Sequence, residues 1–256
     1  MKVFSDYAKY YDLLNLQKNY AQEVDYIISL INKYSTSSKT LLELGCGTGL
    51  HAVHFAKKGY QLTGIDQSKD MISRAEERRN NLPDSIANLL KFDVGDIRTY
   101  SIDKQFDVAM SLFHVISYQI TNSDLLRSFN TAQKHLKSGG IFIFDCWYGP
   151  AVLTDKPYKR NKKFEDNSIL VNRTAIPHIH PTNNQVDVLF EIKITNKQSG
   201  KFDIIKEIHK MRYLFSPEIE LLLAENNFKL IHSEEWLSGA EPDFNSWYVT
   251  FICERI

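Results

Sequence analysis

The stretch Leu41-Leu42-Glu43-Leu44-Gly45-Cys46-Gly47-Thr48-Gly49 decides how the chain reads. Thr40 to Leu44 is a short apolar run of the kind shown by a strand buried on both faces. A loop with three glycines follows, and Leu50 to about Lys58 then carries a helical pattern closed by Gly59. Glycines let a backbone turn sharply and approach a ligand closely. The loop is not a dinucleotide cradle, because Leu50 stands where G-x-G-x-x-G needs its last glycine. Nor is it a P-loop, since no Gly-Lys-Ser/Thr follows. Glu43, at the end of the strand, would repel a pyrophosphate and attract an ammonium.

Outward from this point the pattern alternates strand and helix. Val24, Ile27, Ile28 and Ile31 share one helical face, so a helix is predicted over about 19–34. Strands are predicted at Tyr60–Ile65, Leu89–Val94, Phe106–Met110 and Ile141–Phe144. The helices between them run from the cap Ser68 to Arg79 and over Ser123–Leu136, the second ended by Ser138-Gly139-Gly140. Such alternation predicts an α/β fold with a parallel, doubly wound sheet. After Trp147 the character changes to three β-rich stretches, about Ser168–His178, Val186–Thr195 and Phe202–Phe215. A helix is predicted from the cap Ser216 and Pro217, then two strands, about Phe228–Glu234 and Ser246–Glu254. The expected organisation is a core of residues 1–149 and 216–256 with an N-terminal helical lid, and a small antiparallel β insertion over 150–215, on the substrate side or serving dimerisation.

Composition narrows the function. Among 256 residues, Lys plus Arg number 31 and Asp plus Glu 31. A chain without cationic surplus is not built chiefly to grip nucleic acid or an anionic membrane. The start, Met1 to Tyr7, has no apolar segment of signal-peptide type, and no stretch reaches the ~18 apolar residues of a membrane helix. Cys46, Cys146 and Cys253 lie far apart in or beside apolar runs, as buried thiols of a cytoplasmic protein do. No histidine pair has the further ligands a zinc site needs, so no metal is expected.

S-adenosylmethionine (SAM) fits the loop, because it carries an ammonium and a sulfonium but no phosphate. Asp66, at the end of the second strand, can accept hydrogen bonds from both ribose hydroxyls. Asp96, with Ile97 beside it, follows the third strand and can meet the adenine edge. The chain resembles the class I SAM-dependent methyltransferases over about residues 40–145. E-L-G-C-G-T-G matches their first motif, G-I-D-Q-S the ribose-binding strand end and G-D-I-R the adenine turn. F-D-V-A-M-S-L-F matches their fourth strand and L-K-S-G-G the approach to the fifth. The resemblance implies a seven-stranded sheet with a reversed last hairpin. It also implies a cofactor site made of Tyr11, Glu43, Gly45, Cys46, Gly47, Thr48, Gly49, Asp66, Gln67, Met71, Asp96, Ile97, Ser111 and Phe113.

The acceptor is harder to read. The fourth strand lacks the Asn/Asp-Pro-Pro-aromatic string of amino-methylating DNA enzymes, which favours a small-molecule acceptor. Tyr7-Ala8-x-x-Tyr11-Asp12 resembles the lid of small-molecule N-methyltransferases. The β insertion followed by His209-x-x-Arg212-Tyr213-Leu214-Phe215-Ser216-Pro217-Glu218 resembles the TDP-amino-sugar N,N-dimethyltransferases, and glycine N-methyltransferase-like enzymes share the plan. His114 is the candidate base and Tyr118 the candidate orienting group; the alternative for each is a packing role. Tyr7 either covers the site from the lid or packs a docking helix, and the same choice holds for Tyr11. Trp147 and Tyr148 either wall the acceptor pocket or form a hinge into the insertion. Lys159-Arg160-Asn161-Lys162-Lys163 is either a solvated face or a contact for a diphosphate. The expectation is N-methylation of a small amine, a nucleotide-linked amino sugar first. O-methylation of a hydroxylated metabolite is the competitor, and modification of a macromolecule or a non-catalytic SAM-binding scaffold are the readings of other classes. A homodimer through the β insertion is a further expectation.

Overall fold

A computed structural model describes residues 10–35 and 37–256. In chain order the elements are α1 (Tyr11–Leu14), α2 (Tyr20–Tyr34), β1 (Thr40–Leu44), α3 (Leu50–Lys57), β2 (Gln61–Asp66), α4 (Lys69–Asn80), α5 (Asp84–Ala87), β3 (Leu90–Val94) and β4 (Phe106–Ser111). There follow α6 (Asn122–His135), β5 (Leu136–Tyr148), α7 (Gly149–Thr154), β6 (Arg160–Glu165), β7 (Ile169–His180), β8 (Gln185–Asn196), β9 (Phe202–Leu214), α8 (Ser216–Glu225), β10 (Phe228–Glu235) and β11 (Tyr248–Arg255). Side-chain oxygens start three of the helices. Asn19 accepts from Gln22 N, Ser68 from Met71 N and Thr121 from Asp124 N, each satisfying one orphan amide of a first turn.

The core sheet runs β3-β2-β1-β4-β5-β11-β10. β1 to β5 are parallel, and β11 returns antiparallel to β5, with β10 antiparallel outside it. Alternation along the strands splits the core into two layers. Leu41, Val108, Ile141 and Ile143 face α2 and α3, packing with Val24, Ile27, Ile31 and Phe55. Leu42, Leu44, Phe142 and Phe144 face the other way, against Phe129 of α6, Leu223 of α8 and Phe251. This is the mixed α/β sheet that the strand–helix alternation and the resemblance imply.

The insertion grows from the end of β5. Trp147 and Tyr148 pair in parallel with Tyr213 and Leu214 of β9. From there β9, β8, β7 and β6 continue as antiparallel neighbours. Three of these strands are readable in the sequence and β6 is not: Arg-Asn-Lys-Lys-Phe-Glu is nearly all exposed. Its charges suit an edge strand, where they discourage pairing with another chain, and they hide the apolar alternation that marks a strand. Two other expectations are corrected. Strand β5 begins at Leu136 rather than Ile141, because Ser138-Gly139-Gly140 continues beside β4 across a register shift. Helix α8 starts at Ser216 itself, with Phe215 at the cap and no side-chain cap bond; the Ser216 hydroxyl instead meets Tyr148 Oη at 3.3 Å. No helix among the described residues is long and apolar enough to cross a membrane.

Candidate active site

A cleft of about 1150 Å³ opens at the C-terminal ends of the parallel strands, where ligands of open α/β sheets collect. One face of the insertion sheet closes it. Cross-strand register puts Arg160 and Lys162 of β6, Arg173, Ala175 and Pro177 of β7, Val188 and Phe190 of β8, and His209 and Met211 of β9 on that face, and all of them line the cleft. The insertion is therefore a wall of the site.

The glycine loop forms the opposite wall. The Gly45 and Cys46 amides both donate to the Ile65 carbonyl, at 2.8 and 2.9 Å. This tight turn needs Gly45 at φ +83°, where a Cβ would stand 2.5 Å from a Val115 methyl. At Gly47, with φ +55°, nothing lies within 4 Å of where a Cβ would be. Asp66 locks the loop to β2: Oδ2 accepts from Gly47 N at 3.1 Å and Oδ1 from Ser68 N at 2.8 Å. Burial pushes the Asp66 carboxyl above its usual range, and these two amides pull against that. Asp96 is held lower by the Arg98 guanidinium, which grips both of its oxygens. Arg98 in turn reaches Asp124.

The N-terminal segment is clasped onto the loop. Thr48 Oγ1 donates to Asp12 Oδ1 at 2.7 Å, and Arg78 contacts Asp12 Oδ2 at 2.6 Å while its Nε donates to the Thr48 carbonyl. Arg78 is thus the pin that holds this segment to the loop. Beyond the clasp, Lys18 enters the cleft. Its ammonium pairs with Glu23, lies 3.4 Å from His51 Nε2 and stands 4.0 Å over the Phe113 ring. Burial pulls Lys18 below its usual range. His51 Nε2 is 2.7 Å from Glu23, and His51 Nδ1 is 3.7 Å from Glu43. Sequence reading misses this cluster because its members become neighbours only when α2 packs on α3.

The expected cofactor residues divide in two. Tyr11, Gly45, Cys46, Gly47, Thr48, Asp66, Gln67, Met71, Asp96, Ile97 and Phe113 line the cleft. Glu43, Gly49 and Ser111 lie behind its wall. Gly49, at φ +75°, leaves room for Phe92 and Ala75, and Ser111 Oγ ties β4 to the Leu44 carbonyl. Glu43 is 1% exposed, and burial pushes its carboxyl up to about 8. Of the acceptor-side residues, His114, Tyr118 and Trp147 line the cleft. Tyr148 does not, packing instead on the α6/α8 layer. Tyr7 lies outside the described residues.

A raised carboxyl has a consequence for stability. Between its ordinary 4.5 and about 8, Glu43 keeps a proton in the fold that it loses in the unfolded chain. Stability from this group is full at low pH and falls as pH rises through about 8. The ligand-free protein is expected to lose thermal stability over that interval, and Glu43→Gln to flatten the loss in a melting series against pH.

His114 stands at the tip of β4, where Phe113 and His114 adopt φ +62° and +64°. This left-handed pair is held by the fully buried Asp145, whose Oδ2 accepts from the His114 amide at 3.0 Å. The same oxygen is in ion-pair contact with His114 Nδ1, off the line of a straight hydrogen bond. The imidazole stacks on Tyr248, with centroids 4.2 Å apart. Asp145 thus fixes Nδ1 and leaves Nε2 as the ring nitrogen available to chemistry.

Strand order, reversed final hairpin, glycine loop and Asp66 together define the fold of the class I, SAM-dependent methyltransferases. Residues 41–140 match the family described as a methyltransferase domain. The chain is 31% identical over 152 residues to the dTDP-3-amino-3,4,6-trideoxy-alpha-D-glucopyranose N,N-dimethyltransferase of Streptomyces venezuelae. That alignment covers 59% of this chain and 61% of the relative, so it spans less than two thirds of either. In structure, a SAM-dependent methyltransferase from Clostridium acetobutylicum ATCC 824 superposes with a TM-score of 0.79 at 21% identity, covering 98% of this chain and 99% of that one. The SAM-bound amino pentose methyltransferase CalS10 of Micromonospora echinaspora gives 0.76 at 18% identity, covering 100% and 99%. Residues 41–140 thus match a methyltransferase domain, and the chain has the fold of these SAM-dependent methyltransferases.

The residues present suit that cofactor. Glu43 Oε2 is buried and has no hydrogen-bond partner among the described residues. Gly47 leaves an open cradle. Among the described residues the loop itself offers backbone groups beside the Asp66 carboxylate, and no Lys of P-loop type follows its glycines.

Proposed function

We propose that the protein transfers a methyl group from SAM to the amine of a nucleotide-linked amino sugar. The observation that carries this reading is the polarity of the insertion face. Arg160, Lys162 and Arg173 stand at its β6/β7 end, with apolar Ala175, Val188 and Phe190 between them and His209. The β9 end lies beside Tyr118, four residues from His114. Two strand spacings, ~10 Å, separate β7 from β9. Such a wall suits a ligand with a diphosphate at one end, an apolar deoxysugar face in the middle and a reacting group at the other. The likeness in name of the Streptomyces venezuelae relative and of CalS10, both acting on amino sugars, supports it.

SAM supplies a methyl on a sulfonium: the C–S bond breaks as the N–C bond forms, and S-adenosylhomocysteine leaves. The protein's part is placement. Asp66 would hold the ribose, the Gly45–Gly47 loop the methionyl moiety, and Asp96 with Ile97 the adenine. The acceptor amine must be neutral to attack, and His114 Nε2 is the group placed to take its proton, with Asp145 stabilising the imidazolium. Guanidinium forks match diphosphate oxygens. Arg173→Ala is expected to raise KM about tenfold for a dTDP-linked amino sugar, with KM for SAM unchanged. A KM for the nucleotide sugar that Arg160→Ala and Arg173→Ala both leave alone would remove the nucleotide from this reading.

O-methylation of a small hydroxylated molecule is the second reading. The placement of His114 at the cleft favours it, since a hydroxyl must give up its proton to a base as it attacks.

A further inference from the structure

Lys18 is a buried cation of the cleft that the methyl-transfer reading above does not use. It lies between α1 and α2, in the segment that Asp12 clasps to the glycine loop. Its side chain is 11% exposed. Burying an ammonium is costly unless it is paired. A lysine needed only to hold a helix can bury its stem and keep its charge in water. Lys18 instead carries its charge inside, to Glu23 and to a point 4.0 Å over the Phe113 ring. Phe113 lines the cleft with Gly45, Cys46 and Gly47, and Val115, two residues further on, packs against Gly45.

The cofactor needs a cation at this end. The methionyl group of SAM ends in an ammonium and a carboxylate. The groups assigned to SAM above are Asp66 for the ribose, Asp96 with Ile97 for the adenine, and the backbone of the glycine loop, and none is a cation. Other cations line the cleft elsewhere. Arg98 grips Asp96 at the adenine turn and reaches Asp124. Arg160, Lys162 and Arg173 belong to β6 and β7 of the insertion, and Lys210 to β9. Burial pulls the His51 ring below its ordinary range, toward the neutral form. Among the described residues this leaves Lys18 as the lysine or arginine on the loop side of the cleft.

We infer that Lys18 receives the methionyl carboxylate of SAM. An ammonium has three N–H donors. Glu23 is the one carboxylate in contact with it. Its other neighbours are His51 Nε2, at the long distance of 3.4 Å, and the ring faces of Tyr20 and Phe113. Each of these is a weaker partner than a second carboxylate, which forms a charge-assisted hydrogen bond. The ion pair with Glu23 keeps the ammonium at the cleft before the cofactor arrives, so little ordering of the side chain is left to the binding step. The inference concerns the cofactor alone and stands for an amine or a hydroxyl acceptor.

Decarboxylated SAM is the probe, because it keeps the sulfonium, the ammonium, the ribose and the adenine and lacks only the carboxylate. Isothermal calorimetry compares it with SAM on the wild type and on Lys18→Met. The wild type is expected to bind SAM about ten- to a hundredfold more tightly than decarboxylated SAM, the size of one hydrogen bond between charged groups. Lys18→Met is expected to lose that factor for SAM and to bind decarboxylated SAM no more weakly than the wild type does, so that the two ligands become equal. Thermal melting without ligand confirms that the variant is folded. A lysine that merely packs the segment lowers both affinities alike, and a preference for SAM that Lys18→Met leaves standing overturns the inference. Equal affinities of the wild type for the two ligands overturn it without any variant, while the cofactor assignment stands. A wild type that binds neither ligand overturns the cofactor assignment and the inference together.

Discussion

Asp66→Ala lowers the affinity for SAM by about a hundredfold or more, close to 3 kcal/mol. Two losses combine. The carboxylate is the group we propose to receive both ribose hydroxyls, and a hydrogen bond to a charged group contributes about 1.5–3 kcal/mol. The same side chain holds the Gly47 amide at 3.1 Å and the Ser68 amide at 2.8 Å, so its removal also releases the loop that cradles the ligand. Asp66→Asn keeps one accepting oxygen and is expected to cost only about tenfold. Isothermal calorimetry on the three proteins gives the comparison directly. Equal affinities would place the ribose elsewhere.

The second large effect separates two chemistries. For an amine acceptor, His114→Ala is expected to lower kcat by about ten- to a hundredfold, because a neutral amine is already a nucleophile and placement remains. For a hydroxyl acceptor the same change removes a required base and costs about 10³-fold or more. Asp145→Asn should follow His114→Ala closely. It leaves the ring in place yet removes the charge against Nδ1 that stabilises the imidazolium. Initial rates across pH check both. A loss beyond about a thousandfold on every amine tested would transfer the weight to the O-methyl reading.

Much of the fold was legible because its signals are local. The run Leu41 to Leu44 is apolar on both faces of the sheet, and the alternation Ile141, Phe142, Ile143, Phe144 feeds two layers of core at once. The cap at Ser68 is a side-chain bond within one turn. What escaped was set by partners distant in sequence. Strand β6 is held by its pairing to β7 and by no pattern of its own. Lys18 and Glu23 meet His51 across 33 and 28 positions of chain. Glu43 reads as a direct ligand for an ammonium, but the strand carries it under the loop, 3.7 Å from His51. There burial keeps its carboxyl protonated up to about pH 8. The insertion's role as a wall follows from the β5–β9 pairing at Trp147 and Tyr148, which no local spacing encodes.

The most direct test of the account is one NMR experiment. The wild-type protein is incubated with SAM carrying a carbon-13 methyl and with dTDP-3-amino-3,4,6-trideoxy-alpha-D-glucopyranose, and the fate of the labelled methyl is followed. The account predicts a new N-methyl signal on the sugar, growing as S-adenosylhomocysteine forms. A labelled methyl found only on a hydroxyl oxygen, or left on SAM while the protein binds both ligands, would contradict it.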